Sequence, residues 1–159
     1  MPTAAKKTQA TAPPKKKKAA AKKRLPRAKI KGEQIAEIFA RLEKQNPEPK
    51  GELEHVNTYT LLVAVVLSAQ ATDAGVNKAT RALFQVADTP AKMVALGEEK
   101  VRDYIKTIGL FKGKAKNVIA LSEALIEQHG GDVPDDLDAL VELPGVGRKT
   151  ANVVLNMAF

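Results

Sequence analysis

The residues with the most chemical content lie together near the end of the chain. Leu143-Pro144-Gly145-Val146-Gly147 is followed at once by Arg148-Lys149-Thr150. Pro144 presets one backbone angle, and Gly145 and Gly147 permit a tight turn with close backbone approach. A helix that opens at Arg148 has first-turn N–H groups with no partner inside the helix. They point outward as an anion site at the positive end of the helix dipole. One DNA phosphate fits there without any base being read. The plainer reading is an ordinary turn between two helices. Against it stands the coincidence of two glycines two apart, a proline before them and a basic pair after them.

The charge distribution points the same way. Of the 26 Lys and Arg residues, 12 fall in residues 1–31, which contain no acid. The remaining 128 residues carry 14 basic against 18 acidic side chains, so the body is mildly acidic and a polyanion must dock on a local basic face. The densest such face holds Lys100, Arg102, Lys106, Lys112, Lys114 and Lys116 against the single acid Asp103, and it reads as a backbone-binding rim. Residues 1–29 are Lys, Ala, Pro and Thr with almost no large apolar side chain. Such a segment buries too little surface to offset its ordering entropy, so a disordered basic tail is expected. Its run Lys15 to Lys18 also matches a nuclear-localisation pattern by composition, as any solvated basic tail does.

Several function classes are excluded. The chain has no cysteine, which removes disulfides, thiolate metal sites, iron–sulfur ligation and cysteine nucleophiles. Its two histidines, His55 and His129, have no partner pattern, so no metal site is expected. The longest apolar run, Leu61 to Leu67, is far short of the roughly 20 residues that span a bilayer, so no membrane association is expected. The basic N-terminus has no apolar stretch behind it and is no secretory signal.

The elements that must position the hairpin are helices almost throughout, and the expected class is all-α. Ile35, Ile38, Phe39 and Leu42 mark an amphipathic helix that ends before Asn46-Pro47. A Pro/Gly linker leads to a helix over 58–69 that is apolar all round and should be central. Thr72 or Asp73 caps the next, with Val76, Ala79, Leu83 and Phe84 inward. Thr89-Pro90 starts and Gly97 stops a short helix. Val101, Tyr104, Ile105 and Ile108 line another, which Gly109 ends. A long helix over 113–129 turns Val118, Ile119, Leu125 and Ile126 inward. A short helix from Asp135 to Leu143, the hairpin, and a helix from Arg148 complete the chain. That last helix meets the chain end at Phe159 without a cap, as an N-terminal fragment would.

Four segments together resemble a known family, the endonuclease III DNA glycosylases of the helix–hairpin–helix superfamily. They are Leu67-Ser68-Ala69-Gln70-Ala71-Thr72-Asp73, Val76-Asn77-Lys78-Ala79-Thr80, Tyr104-Ile105-Lys106-Thr107-Ile108-Gly109-Leu110, and Leu143 through Asn156. They occur in the family's order and spacing and cover the chain from about residue 33 on. The resemblance implies a base-excision repair enzyme that removes oxidised pyrimidines and then cuts the strand as an abasic-site lyase. Its partner would be double-stranded DNA with damaged pyrimidines or abasic sites. It also implies a monomer, in the bacterial cytoplasm on the nucleoid, or in the nucleus of a eukaryote.

The resemblance assigns roles residue by residue. Lys149 matches the nucleophilic lysine that attacks the sugar's anomeric carbon and forms a Schiff base. An amine suits that role, because it can displace the base and stay as an imine, the electron sink for β-elimination. It attacks only when deprotonated, and the cation Arg148 and the helix N-terminus both disfavour the ammonium form. Gln70 matches the residue that fills the gap left by a flipped-out base, and Leu110 the apolar wedge on the other strand. Without the family they would read as a polar helix-end residue and a core residue. Gly145, Val146, Gly147, Arg148 and Thr150 match the hairpin's DNA contacts. Asp73 reads equally well as a helix cap or a DNA contact.

Two departures from the family pattern are expected to matter. The family's catalytic aspartate belongs to a Val-Asp-Thr-His-like segment that would follow Phe159, and Asp135, Asp136 and Asp138 precede the hairpin and do not match it. The full-length family carries a [4Fe-4S] cluster whose cysteines are absent here, so no cofactor is expected in this chain. The implied architecture is a nearly complete six-helix barrel domain over residues 51–159, with the helix–hairpin–helix at 136–159. The helix over 30–46 would belong to the missing iron–sulfur domain. Activity of this polypeptide would then be impaired. The alternative is a non-catalytic helix–hairpin–helix DNA-binding module. An adenine-specific relative that works without a covalent lysine is disfavoured by Lys149.

Overall fold

The computed structural model describes residues 30–48 and 51–159, so the expected basic tail lies outside the described residues. The described residues form α-helices joined by turns, with no strand, as the periodicity predicts. The chain divides after Glu48 into two units. The first contains α1 (Gly32–Gln45), whose stripe of Ile35, Ile38, Phe39 and Leu42 is exposed and none of whose residues is buried. The second contains α2 (Thr58–Ser68), α3 (Asp73–Val86), α4 (Pro90–Leu96), α5 (Glu98–Ile105), α6 (Phe111–His129), α7 (Leu137–Glu142) and α8 (Arg148–Ala158).

Helix α2 is the hub of this second unit. Every residue from Tyr59 to Leu67 is buried, and α2 packs on α3, α6 and α8. Its start is fixed by a reciprocal cap. The Asn57 side chain accepts from the Thr60 N–H at 2.8 Å, and the Thr60 hydroxyl accepts from the Asn57 N–H at 3.0 Å. The one phenol in this core is satisfied by Ser122 of α6, with Tyr59 Oη 2.6 Å from Ser122 Oγ. Burial pushes the Tyr59 phenol above its ordinary range.

Local signals place most of the remaining boundaries. Thr72 caps α3 by accepting from the Gly75 N–H, which leaves Asp73 in the first turn with its carboxylate free of the cap. Thr89 caps α4, Pro90 opens it, and Gly97 closes it at φ +83°. Asp136 caps α7 at 2.8 Å from the Ala139 N–H.

Three boundaries differ from expectation: α7 starts at Leu137, two residues after Asp135, because Asp136 is its cap, and the other two lie between α5 and α6. Helix α5 ends at Ile105, where a turn (Ile108 N–H to Ile105 O, 2.9 Å) still delivers Ile108 to the core. Helix α6 starts at Phe111, two residues early, with Leu110 as its N-cap at φ +60°. The inward stripe of α6 also differs. Lys114, Ala115, Val118, Leu121, Ser122 and Leu125 are buried, whereas Ile126 is exposed.

Candidate nucleic-acid interface

The hairpin between α7 and α8 closes through a hydrogen bond from the Val146 N–H to the Leu143 O at 3.1 Å. Pro144 is second and Gly145 third in this four-residue turn, and Gly145 sits at φ +79°, the requirement of a type II turn. A Cβ on Gly145 would lie 3.0 Å from Asn117 Cβ and Nδ2, so the turn is pressed against α6 as well as left-handed. Leu143 and Val146 are buried and pin the hairpin to the core. The Val146 side chain is thus an anchor of the turn, and its N–H donates within it. Gly147 plays a different part from Gly145. Its φ is −95°, and it caps α8 without a side chain. The first-turn N–H groups of Arg148, Lys149 and Thr150 have no partner among the described residues, and Arg148 and Lys149 are exposed. An anion placed there meets open amides and two cations.

Lys149 lines a cavity of about 470 Å³ built from the first turns of α8 and α3, the end of α2 and the segment before α2. Gln70, Ser68, Thr150, Asp73 and Glu52 share its lining. The structure thus brings together Lys149 and Gln70, which stand 79 positions apart in sequence. Asp73 and Glu52 are the carboxylates of this cavity. Glu52 was not singled out by sequence, since nothing distinguishes it there from any loop acid.

Gln70 also lines a second cavity, of about 610 Å³, together with Leu110, Phe111, Lys114, Asn117 and Gly145. Gln70 therefore borders both, as Ala69 does, and Leu110 lines the second alone. Gln70 and Leu110 share a further property. Among the described residues they are the only non-glycine residues at positive φ, +56° for Gln70 and +60° for Leu110, and both are exposed. A left-handed side-chain-bearing residue costs about 1–2 kcal/mol, and an exposed leucine gains nothing by burial to offset it. Strain of this kind persists where a side chain is held out for use.

The basic rim is less uniform than its sequence. Lys100, Lys106, Lys112 and Lys116 are exposed, but Arg102 pairs with Glu98 and Lys114 is buried. His55 and His129 have no metal-ligating company. Among the described residues no group of three His, Cys, Asp or Glu is placed to hold a metal. With no cysteine in the chain, these residues do not fit an iron–sulfur cluster.

Comparison with known proteins gives this geometry a family. Residues 63–157 match the HhH-GPD superfamily base excision DNA repair protein family. Endonuclease III of Treponema pallidum is 62% identical over 122 residues, and endonuclease III of Escherichia coli strain K12 is 59% identical over 123. Each alignment covers 77% of this chain but 58% of the relative, so the chain spans somewhat under two thirds of these proteins. The structure resembles that of a trapped endonuclease III–DNA covalent intermediate, an estranged-adenine complex, with TM-score 0.78 at 46% identity. That match covers 82% of this chain and 61% of the other. A thermostable thymine-DNA glycosylase shares the fold at TM-score 0.70 and 23% identity, covering 80% of this chain and 58% of that one. The chain belongs to the HhH-GPD superfamily of base excision DNA repair proteins, among the homologues of endonuclease III.

Proposed function

We propose that this chain carries the lesion-binding half of a DNA glycosylase and abasic-site lyase, with Lys149 as the covalent residue. One observation carries the reading most. Lys149, the amine beside the phosphate-binding hairpin, lines one cavity with Gln70, whose strained backbone holds it at the cavity's edge. The hairpin amides and Arg148 hold the strand by a phosphate. Leu110 wedges into the stack from the opposite side, and Gln70 takes the space of the extruded nucleotide, which offsets part of the few kcal/mol that flipping costs. The oxidised pyrimidine then lies in the Lys149 cavity.

The chemistry balances as follows. The Lys149 Nζ lone pair forms a bond to the anomeric carbon, and the glycosidic bond breaks with its electron pair leaving on the base, which takes up a proton. Loss of the Nζ proton and opening of the sugar ring leave an imine. The imine accepts the electron pair when the neighbouring C2′ proton departs, and the 3′ phosphate is expelled. Asp73 and Glu52 supply carboxylates in the same cavity.

Residues 30–46 belong, on this reading, to a second domain formed with further sequence of the kind that the longer relatives have. The protein works as a monomer on double-stranded DNA. Incubation with a duplex containing a preformed abasic site, followed by borohydride, should give a covalent adduct with the chain and none with Lys149→Ala. Equal trapping by the Lys149→Ala protein would remove the covalent role. Intact binding without any trapping would leave the non-catalytic DNA-binding module as the better description.

A further inference from the structure

The motif Val76-Asn77-Lys78-Ala79-Thr80 has no part in the contacts and chemistry proposed for Lys149, yet its asparagine ties down one wall of the Lys149 cavity. Residues 51–56 run ahead of α2 without helix or strand. Half-buried Asn77 of α3 grips this segment with both ends of its amide. Its Oδ1 accepts from the Glu54 N–H at 2.9 Å, and its Nδ2 donates to the Glu52 O at 2.8 Å. Among side chains of this length only asparagine offers a donor and an acceptor side by side. The Arg81–Glu54 pair one turn further along α3 is exposed and adds little by comparison. At its other end the segment meets α8, where a Cβ on Gly51 would collide with the Met157 methyl. Asp73 and Asn77 stand four apart on α3, and Lys149, Val153 and Met157 four apart on α8, so each set shares a helix face. The segment touches both faces, and Glu52 and Leu53 line the cavity with Asp73 and Lys149.

We propose that Asn77 is a positioning residue that holds Glu52 at the Lys149 cavity, where the Glu52 carboxylate receives the C2′ proton in the β-elimination. The inference rests on Lys149 as the covalent residue. Once Lys149 is an imine it cannot take that proton, and Ser68, Gln70 and Thr150 bring no anionic acceptor to the cavity. Its carboxylates are Glu52 and Asp73. Glu52 is the one on the segment that touches α8, the helix of Lys149, and its carboxylate makes no hydrogen bond or ion pair among the described residues. In the step assigned to it, the C2′–H bond breaks and the proton moves to a Glu52 oxygen. The electron pair of that bond forms the C1′–C2′ double bond while the imine pair returns to Nζ. The resulting enamine then drives out the 3′ phosphate as the C3′–O bond breaks. A base must be held in register with the proton it takes, and the Asn77 amide supplies that register through the backbone on both sides of Leu53.

The test separates imine formation from elimination on a duplex with a preformed abasic site, using the full chain. Borohydride trapping reads the imine, and strand cleavage above the Lys149→Ala background reads the elimination. Glu52→Gln should trap within about twofold of wild type but cleave at least about tenfold more slowly. Asn77→Ala should show the same split at about fivefold, and the double variant should cleave no more slowly than Glu52→Gln alone, because Asn77 acts through Glu52. Should Asn77→Ala fold poorly, Asn77→Asp keeps the shape and the acceptor and loses only the donor to Glu52, and the split is expected again. Equal loss of trapping and cleavage in the Asn77 variants marks a merely structural role and overturns the proposal. So does full cleavage by Glu52→Gln, the same split produced by Asp73→Asn in its place, or losses that multiply in the double variant. Trapping and cleavage by Lys149→Ala at the wild-type level would instead strike at the function proposed above.

Discussion

Two kinds of turn line the face proposed above to meet DNA, and they solve opposite problems. The α7–α8 hairpin puts glycine where the backbone must be left-handed, at Gly145, and again at the cap of α8, at Gly147. The turns before α3 and α6 put Gln70 and Leu110 where glycine would be the relaxed choice. In the hairpin the backbone is the working group, and any side chain would cover the amides. In the other two the side chain is the working group, and the fold tolerates a strained backbone to present it. Glycine removes strain and function together at Gln70 and Leu110, but serves both at Gly145.

The largest effect should come from breaking this rule at the hairpin. Gly145→Ala places a Cβ against Asn117 at a left-handed position. It should cost about 2 kcal/mol of stability. If the turn relaxes instead, the open amides shift, and affinity for any duplex should fall roughly tenfold, the worth of a hydrogen bond to a charged acceptor. Chemical denaturation and duplex titration read both. Unchanged affinity would mean that the hairpin is only a connector.

The cap beside Gln70 comes next. Thr72→Ala leaves the Gly75 N–H without its acceptor and should cost about 1 kcal/mol. Affinity for abasic DNA should fall more than affinity for undamaged DNA, because the Gln70 turn loses its fixed end. Equal losses would separate the cap from lesion recognition.

Smaller in stability, and opposite in sign, are Gln70→Gly and Leu110→Gly. Relief of left-handed strain of about 1–2 kcal/mol is partly offset by glycine's greater unfolded-state entropy. Each variant should be more stable by about 0.5 kcal/mol in denaturant titrations, yet each should bind abasic duplex several-fold more weakly. Variants that lose stability would show that the two turns are unstrained, and the contrast with the hairpin would fail.

The smallest effect belongs far from these turns. Arg81 hydrogen-bonds Glu54 on an exposed surface and holds its carboxyl below the usual carboxylate range. A lowered value in the folded state means that any contribution is present above the ordinary carboxylate range and lost as pH falls through the folded one. Arg81→Ala should leave the melting temperature nearly unmoved at neutral pH, with the residual difference vanishing in acid. A large shift at neutral pH would make this surface more than a solvated face.

Much of this was legible because its causes are local. Pro144, Gly145 and Gly147 declare the hairpin by residue type, and Thr89-Pro90 and Gly97 bracket α4 in the same way. The continuous apolar run of α2 declares its central position. What escaped depends on helix phase and on distance along the chain. Lys114 reads as one of several rim lysines, yet Lys114, Val118, Leu121 and Leu125 follow the inward spacing of α6, while Lys112 and Lys116 lie on another face. The charge pattern concealed what the periodicity carried. Ile126 is the converse, an apolar residue one step off the buried stripe. The roles of Gln70 and Leu110 came from family resemblance alone, and the left-handed backbone that marks them has no signature in residue type. The sharing of one cavity by Lys149 and Gln70 depends on α8 packing against α2, which no local pattern encodes.

The central claim is that one lysine in this body forms the bond to the abasic sugar. Borohydride reduction of the abasic-duplex complex, digestion, and mass-spectrometric mapping of the sugar-bearing lysine test it most directly. The adduct should map to Lys149, beside the hairpin and in the cavity with Gln70. An adduct found instead on Lys112, Lys114 or Lys116, or scattered over the basic N-terminal residues, would contradict it.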